Sequence, residues 1–176
     1  MTYKIGHVDP WWDDSFKNLD YQYGVITNTW DEERWRNEGY VNITLNGAAY
    51  SMYRGGEKLP MPDYADPFFT LFDWKNVGIT FFRMNTLELF PIHQDHYSTY
   101  RQKFNITNPN VIWRGIVFLE DWKSGHYLEV DGDPIVNWKR GDWVTWNYNT
   151  PHYAGNIGIE SRYTMQITGM HDDQSK

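Results

Sequence analysis

The segment Leu89-Phe90-Pro91-Ile92-His93-Gln94-Asp95-His96 puts a histidine and an aspartate two residues apart at the end of an extended run. Side chains along a strand alternate faces, so His93 and Asp95 project to the same side. A neutral imidazole and a carboxylate are suitable ligands for a divalent first-row metal. A third candidate ligand, His152, follows the run Asp142–Asn147 and an Asn-Thr-Pro turn and reads as a loop residue. Arg162 and Thr164 come next, again at i, i+2. The planar guanidinium fork suits a carboxylate, and a hydroxyl beside it adds a further hydrogen bond. Each piece alone is commonplace on protein surfaces; the combination is what is specific.

Two histidines and one carboxylate form the facial ligand set of non-haem Fe(II) oxygenases. Such a set leaves three positions of an octahedral metal open, enough for a bidentate 2-oxo acid and O2. The acid's far carboxylate then needs a cation, which Arg162 offers. The chain has no Cys, so it lacks the soft ligand that would favour zinc or Cu(I).

The series His93-Gln94-Asp95, His152, and Arg162 with Thr164 resembles the His-x-Asp…His…Arg-x-Ser/Thr pattern of the Fe(II)/2-oxoglutarate-dependent oxygenases. Gly141-Asp142 through His152, Asn156 and Arg162-Tyr163 is similar to the C-terminal half of that family, and the resemblance covers roughly residues 77–170. It implies a mainly β double-stranded β-helix, a cupin-like jelly roll with a few N-terminal helices. It implies Fe(II) on His93, Asp95 and His152, the 2-oxoglutarate C5 carboxylate on Arg162 and Thr164, and O2 as co-substrate. The reaction implied is hydroxylation of an unactivated C–H bond, with 2-oxoglutarate decarboxylated to succinate. Halogenases of the family carry a small residue where Asp95 stands, so hydroxylation is implied and halogenation is not. The short, Trp-rich form is similar to small oxygenases of marine bacteriophages. Arg114-Gly115-Ile116-Val117 and the stretch from Tyr127 to Trp138 are similar to the aspartyl/asparaginyl β-hydroxylase branch, which usually lacks an acidic metal ligand. Prolyl hydroxylase-like members share part of the pattern.

Neighbouring residues carry two readings each. Arg114 heads a strand and either binds 2-oxoglutarate or an anionic substrate, or pairs with an acid such as Glu120. Tyr97, Tyr100 and Arg101 either line the substrate entrance or form an amphipathic surface turn. His96 lies at an odd offset from His93 and should face away. His7, His126 and His171 read as structural or solvated. Trp113, Trp138, Trp143 and Trp146 are expected to divide between the core and a cavity wall.

The elements that must position these residues read mostly as strands. Val25–Thr27 looks like a short strand, and Thr29 or Asp31 could cap a helix ending at Gly39. Val41–Tyr53 reads as extended, residues 55–67 as a loop, and Pro67–Trp74 as helix or strand. One long or bent strand is expected over Val77–Pro91. Then come Trp113–Glu120, a hairpin of His126–Val130 and Ile135–Trp138 through Asp131-Gly132, Asp142–Asn147, and Arg162–Thr168. In this last strand Arg162, Thr164, Gln166 and Thr168 share one face, which is either a solvent edge or a lined interior. The pattern suggests a sandwich or jelly roll.

At 176 residues one domain is the expectation, with 1–76 as substrate-recognition and support elements and 77–170 as the jelly-roll core. Lys and Arg number 16 against 23 Asp and Glu, a net charge of −7. That balance disfavours nucleic acid, whose backbone is bound by cations. No signal peptide or membrane-spanning run is visible. The expectation is a cytoplasmic protein (host cytoplasm if phage-encoded) acting on a small molecule or a protein or peptide. Two other readings stand beside it: a cupin-like metal enzyme that does not use 2-oxoglutarate, and a carbohydrate-binding β-sandwich using Trp and Tyr as platforms.

Overall fold

From residue 75 onward, β-branched and aromatic residues recur in short runs separated by turn residues, and these runs become eight antiparallel strands. The computed structural model describes residues 3–23, 29–54 and 56–171. Its strands are β1 (Tyr3–His7), β2 (Ala48–Ser51), β3 (Tyr53–Arg54), β4 (Glu57–Lys58), β5 (Lys75–Met84), β6 (Glu88–His93), β7 (Ile112–Phe118), β8 (His126–Val130), β9 (Asp133–Ile135), β10 (Asp142–Asn147), β11 (His152–Asn156) and β12 (Arg162–Met170). The α-helices are α1 (Thr29–Asn37) and α2 (Ser98–Lys103), with three short 3-10 turns.

Strands β5 to β12 pass back and forth between two sheets. One sheet has the order β1-β10-β7-β12-β5-β2 and the other β6-β11-β8-β9. This is a double-stranded β-helix, or jelly roll, in which each sheet turns one face inward. The N-terminal part contributes β1 and β2 to the two edges of the larger sheet.

Alternation along the strands divides the apolar residues into two layers. Outward-facing Phe81, Val117, Met165 and Ile167 of the larger sheet are covered by Trp12, Phe16, Tyr21 and Phe68 from the N-terminal part. Inward-facing Ile116, Phe118, Val144 and Trp146 meet Leu128 and Val130 of the smaller sheet. Each such side chain contributes about 1.5–3 kcal/mol by leaving water. The polar face of β12 points inward as well: Arg162 and Thr164 are 3% and 2% exposed. It is an interior wall and not a solvent edge.

Several expected elements differ. Val77–Pro91 is two strands in different sheets, because Asn85–Leu87 forms a turn without Gly or Pro. Leu87 takes φ 64°, and the Glu88 carboxylate closes the turn by accepting the Asn85 N–H at 2.7 Å. Of Val41–Tyr53 only its end is strand, and residues 55–67 include β4 and the start of a 3-10 turn over Asp63–Phe69, which also takes in Pro67. The hairpin strand starts earlier than expected, at Asp133. Asp131 and Gly132 have φ 55° and 84°, a two-residue turn that pairs Val130 with Asp133 directly. His152 opens a strand of its own. The expected strand at Val25–Thr27 lies outside the described residues. Helix α1 is followed by Gly39 at φ 107°, the left-handed stop that glycine adopts freely.

Candidate metal centre

The three expected ligands arrive from two strands of the smaller sheet and the loop beyond them. β6 lies at the edge of its sheet, where a proline such as Pro91 is tolerated. His93 ends that strand and stands opposite His152, the first residue of β11. The register slips between His152 and Ala154. The two rings lie 4.2 Å apart between centroids.

Each imidazole is oriented through Nδ1. That of His93 donates to the Pro91 carbonyl at 2.7 Å and that of His152 to the Thr150 carbonyl at 3.0 Å. A carbonyl can only accept, so the tautomer is set and both Nε2 atoms are left as acceptors. Nε2 of His93 lies 3.8 Å from Asp95 Oδ1, and Nε2 of His152 lies 3.9 Å from Asp95 Oδ2. One donor atom from each residue falls within 4.8 Å of the others. Two neutral imidazoles and a carboxylate at this spacing are suited to a divalent metal.

The surroundings tune these groups. Burial opposes charge on Asp95, but Arg114 and the two imidazoles outweigh it and hold its carboxyl well below the usual range. Burial, then His93, brings His152 down to about 4, so its ring is neutral near pH 7. Trp146 packs beside His152, with centroids 5.0 Å apart, and Trp35 of α1 meets His93 edge-on at 5.6 Å.

Arg114 points inward from β7 and does not pair with Glu120. Its Nη2 and Nε donate to Asp95 Oδ2 at 2.9 and 3.3 Å, and its Nη1 to Gln166 Oε1 at 3.3 Å. Glu120 is taken by Lys17 and Lys123. The Tyr97 ring lies 5.2 Å from the Arg114 guanidinium, and its hydroxyl is buried beside Arg114 and Asp95.

Arg162 lies deeper on the same inner wall. Its guanidinium sits 5.5 Å over the Trp138 ring, and Nη1 lies 3.2 Å from Met84 Sδ. Its Nε is buried without a hydrogen-bond partner. Among the described residues no carboxylate pairs with it, and burial lowers it to about 10. Such an isolated interior cation is suited to an incoming carboxylate.

A cavity of about 950 Å³ opens from His93 and Asp95 between Phe82, Phe90, Gln166 and Thr168. It reaches α1 on one side and α2 on the other, and its lining includes Gln166 and Thr168 but not Arg162 or Thr164. Tyr97 and Tyr100 line it, and Tyr100 Oη also donates to the Asn76 carbonyl at 2.8 Å. Arg101 instead borders a shallow groove with Ser98, Asn105 and Ile106. His96 is exposed at the cavity rim. His7 bonds Asp142, His126 bonds the Glu160 carbonyl, and His171 lies against Trp113. Trp113, Trp138 and Trp146 are buried, whereas Trp143 packs on the outer layer. Trp35, Phe82 and Phe90 carry no chemical motif and were legible only as apolar residues.

No protein-family model and no curated protein sequence matches the chain. Among solved structures it is similar to a Pseudomonas putida prolyl-4-hydroxylase, at 11% identity and TM-score 0.53, over 90% of this chain and 96% of that one. It is also similar to a 2OG-Fe(II) oxygenase family oxidoreductase from Burkholderia pseudomallei, at 15% identity and TM-score 0.48 over 72% and 68%. A third is KdgF from a Halomonas species, at 11% identity and TM-score 0.44 over 91% and 94%. The likeness to the hydroxylase is one of fold. The chain is a jelly roll carrying a His-Asp-His triad suited to a metal ion. No helix among its described residues is long and apolar enough to cross a membrane.

Proposed function

We propose that the protein is an Fe(II)- and 2-oxoglutarate-dependent oxygenase that hydroxylates a C–H bond of a small molecule or a protein side chain. The observation that carries this is one constellation. A His93-Asp95-His152 set lines the cavity side of the smaller sheet, and a buried Arg162, with no carboxylate partner among the described residues, lies deeper on the facing wall. The ion fits because both Nε2 atoms and one carboxylate oxygen are turned to a common point. The 2-oxo acid fits because Arg162 is a buried cation with an unsatisfied Nε.

When bound, iron and 2-oxoglutarate supply O2 activation, and the balance is R–H + O2 + 2-oxoglutarate → R–OH + succinate + CO2. The chain's own residues bind, orient and exclude water. His93, Asp95 and His152 would hold the ion, Arg162 and Thr164 the C5 carboxylate. Trp35, Phe82 and Phe90 make an apolar wall for the substrate, with Tyr97 and Tyr100 nearer the entrance.

Anaerobic addition of Fe(II) and 2-oxoglutarate tests the reading. A weak visible charge-transfer band is expected, lost in His152→Ala and requiring more 2-oxoglutarate in Arg162→Ala. Succinate formation across free amino acids, peptides and small metabolites would then find the substrate. No band and no succinate would sink the proposal.

One observation favours the cupin-like reading without 2-oxoglutarate: the cavity stops short of Arg162 and Thr164. An Arg162→Ala protein with unchanged activity and 2-oxoglutarate affinity would select it. For the carbohydrate-binding reading, Trp12, Trp113, Trp138 and Trp146 are buried and offer no surface platform, whereas Tyr23 and Tyr53 are exposed.

A further inference from the structure

Asp95 lies beyond the end of β6, so the strand ladder does not fix its side chain. Its carboxylate is gripped instead from β7. Arg114 places two donors on Oδ2, at 2.9 and 3.3 Å, with Oδ1 lying 3.8 Å from His93 Nε2 and Oδ2 lying 3.9 Å from His152 Nε2. The grip is itself held: Gln166 of β12 takes Nη1 at 3.3 Å, and the Tyr97 ring covers the guanidinium at 5.2 Å. A guanidinium is planar with its donors in a fixed fork, so it sets the angle of a carboxylate as well as its charge.

We propose that Arg114, backed by Gln166, is a positioning residue that fixes the Asp95 carboxylate against the two imidazole Nε2 atoms, and is not itself a cofactor anchor. The inference rests on the metal-binding reading of the triad. It separates Arg114 from Arg162, which on that reading receives the cofactor's carboxylate. Arg114 has three of its donors committed within the protein, whereas no carboxylate among the described residues pairs with Arg162, whose Nε is buried without a hydrogen-bond partner.

The sign of one measurement separates positioning from mere charge. A cation beside a ligand repels an incoming metal ion, so deleting charge alone would tighten metal binding. Deleting a clamp frees the ligand and weakens binding, by about 10–100-fold for an outer partner of this kind. The experiment is anaerobic Co(II) binding to the full chain without 2-oxoglutarate, read by calorimetry and by the cobalt d–d spectrum. Arg114→Gln is expected to weaken Co(II) by at least about 10-fold and to alter the spectrum. Arg114→Lys keeps the charge without the fork and is expected to rescue little. Gln166→Leu leaves Arg114 in place, guards against a folding defect in the first variant, and is expected to weaken Co(II) several-fold.

Unchanged or tighter Co(II) binding in folded Arg114→Gln, or full rescue by Arg114→Lys, overturns the assignment while the metal site stands. Absence of Co(II) binding in the unaltered protein, or binding that survives His152→Ala, overturns the metal reading and this inference with it.

Discussion

His93 and His152 face each other across one rung of the β6–β11 ladder, and each donates Nδ1–H to the carbonyl two residues before it. Two strands running in opposite directions thus present the same tautomer and the same free nitrogen to one point. Aligned acceptors of this kind are what a metal ion requires before it arrives.

The buried His152 ring makes the metal-free protein acid-sensitive. Its folded value is about 4 against an ordinary 6.5, so between these values the unfolded chain binds the extra proton. Stability therefore falls as pH drops from about 6.5 toward 4, by up to about 3 kcal/mol. Buried His126, also lowered, adds in the same direction. Urea unfolding across this range should show the slope, and His152→Ala should flatten it. A pH-independent midpoint would contradict the burial argument.

Arg162 sets ligand binding against stability. A buried cation with no acid partner costs free energy until an anion reaches it. Arg162→Met keeps the length and removes the charge. The ligand-free variant should be more stable by on the order of 2 kcal/mol, raising Tm by roughly 4–8 °C at this chain length. It should also lose its response to 2-oxoglutarate. A lowered Tm in thermal melts would show that the guanidinium has partners within the fold.

Trp146 is 1% exposed and packs directly on His152. Trp146→Ala should cost about 3–5 kcal/mol and weaken metal binding by removing the ring packed against His152. Trp146→Phe should retain much of both. Denaturant titration beside Co(II) titration would check the pair, and a fully stable Trp146→Ala would exclude it as part of the inner wall.

The β8–β9 hairpin allows a change that touches only the backbone. Gly132 sits at φ 84° with nothing within 4 Å of an added Cβ. Gly132→Ala should therefore cost about 1 kcal/mol through the left-handed conformation alone, with metal affinity unaltered. A much larger loss would show that the turn does more than set register.

Local spacing made much of this legible. Arg162 and Thr164 are two apart within β12, and period-two alternation alone places that pair on one side of its strand; His93 and Asp95 have the same spacing, but Asp95 lies past the end of β6 and is held by Arg114. Asp131-Gly132 announced its hairpin for the same local reason. What escaped notice depends on contacts far apart in sequence. Nothing local says that Arg114 reaches Asp95 and leaves Glu120 to lysines, because that choice is made between sheets. The break at Asn85–Leu87 was hidden since its turn is stabilised by the Glu88 side chain and not by Gly or Pro. The N-terminal part resisted reading because Trp12, Phe16, Tyr21 and Phe68 follow no single period; they conform to a sheet built later in the chain.

That outer layer makes the chain indivisible. A fragment starting at residue 75 would keep all eight strands of the barrel and all three ligands, yet it would turn Ile79, Phe81, Val117, Leu119, Met165 and Ile167 out to water. A greasy sheet face of that kind recruits other copies of itself. Attempts to trim the protein to a minimal catalytic barrel, or to graft that barrel onto another N-terminal segment, would end in aggregates unless the replacement supplied an equivalent cover. The segment before β5 therefore supplies the other half of that wall, and the two halves are expected to tolerate expression, exchange or redesign only together.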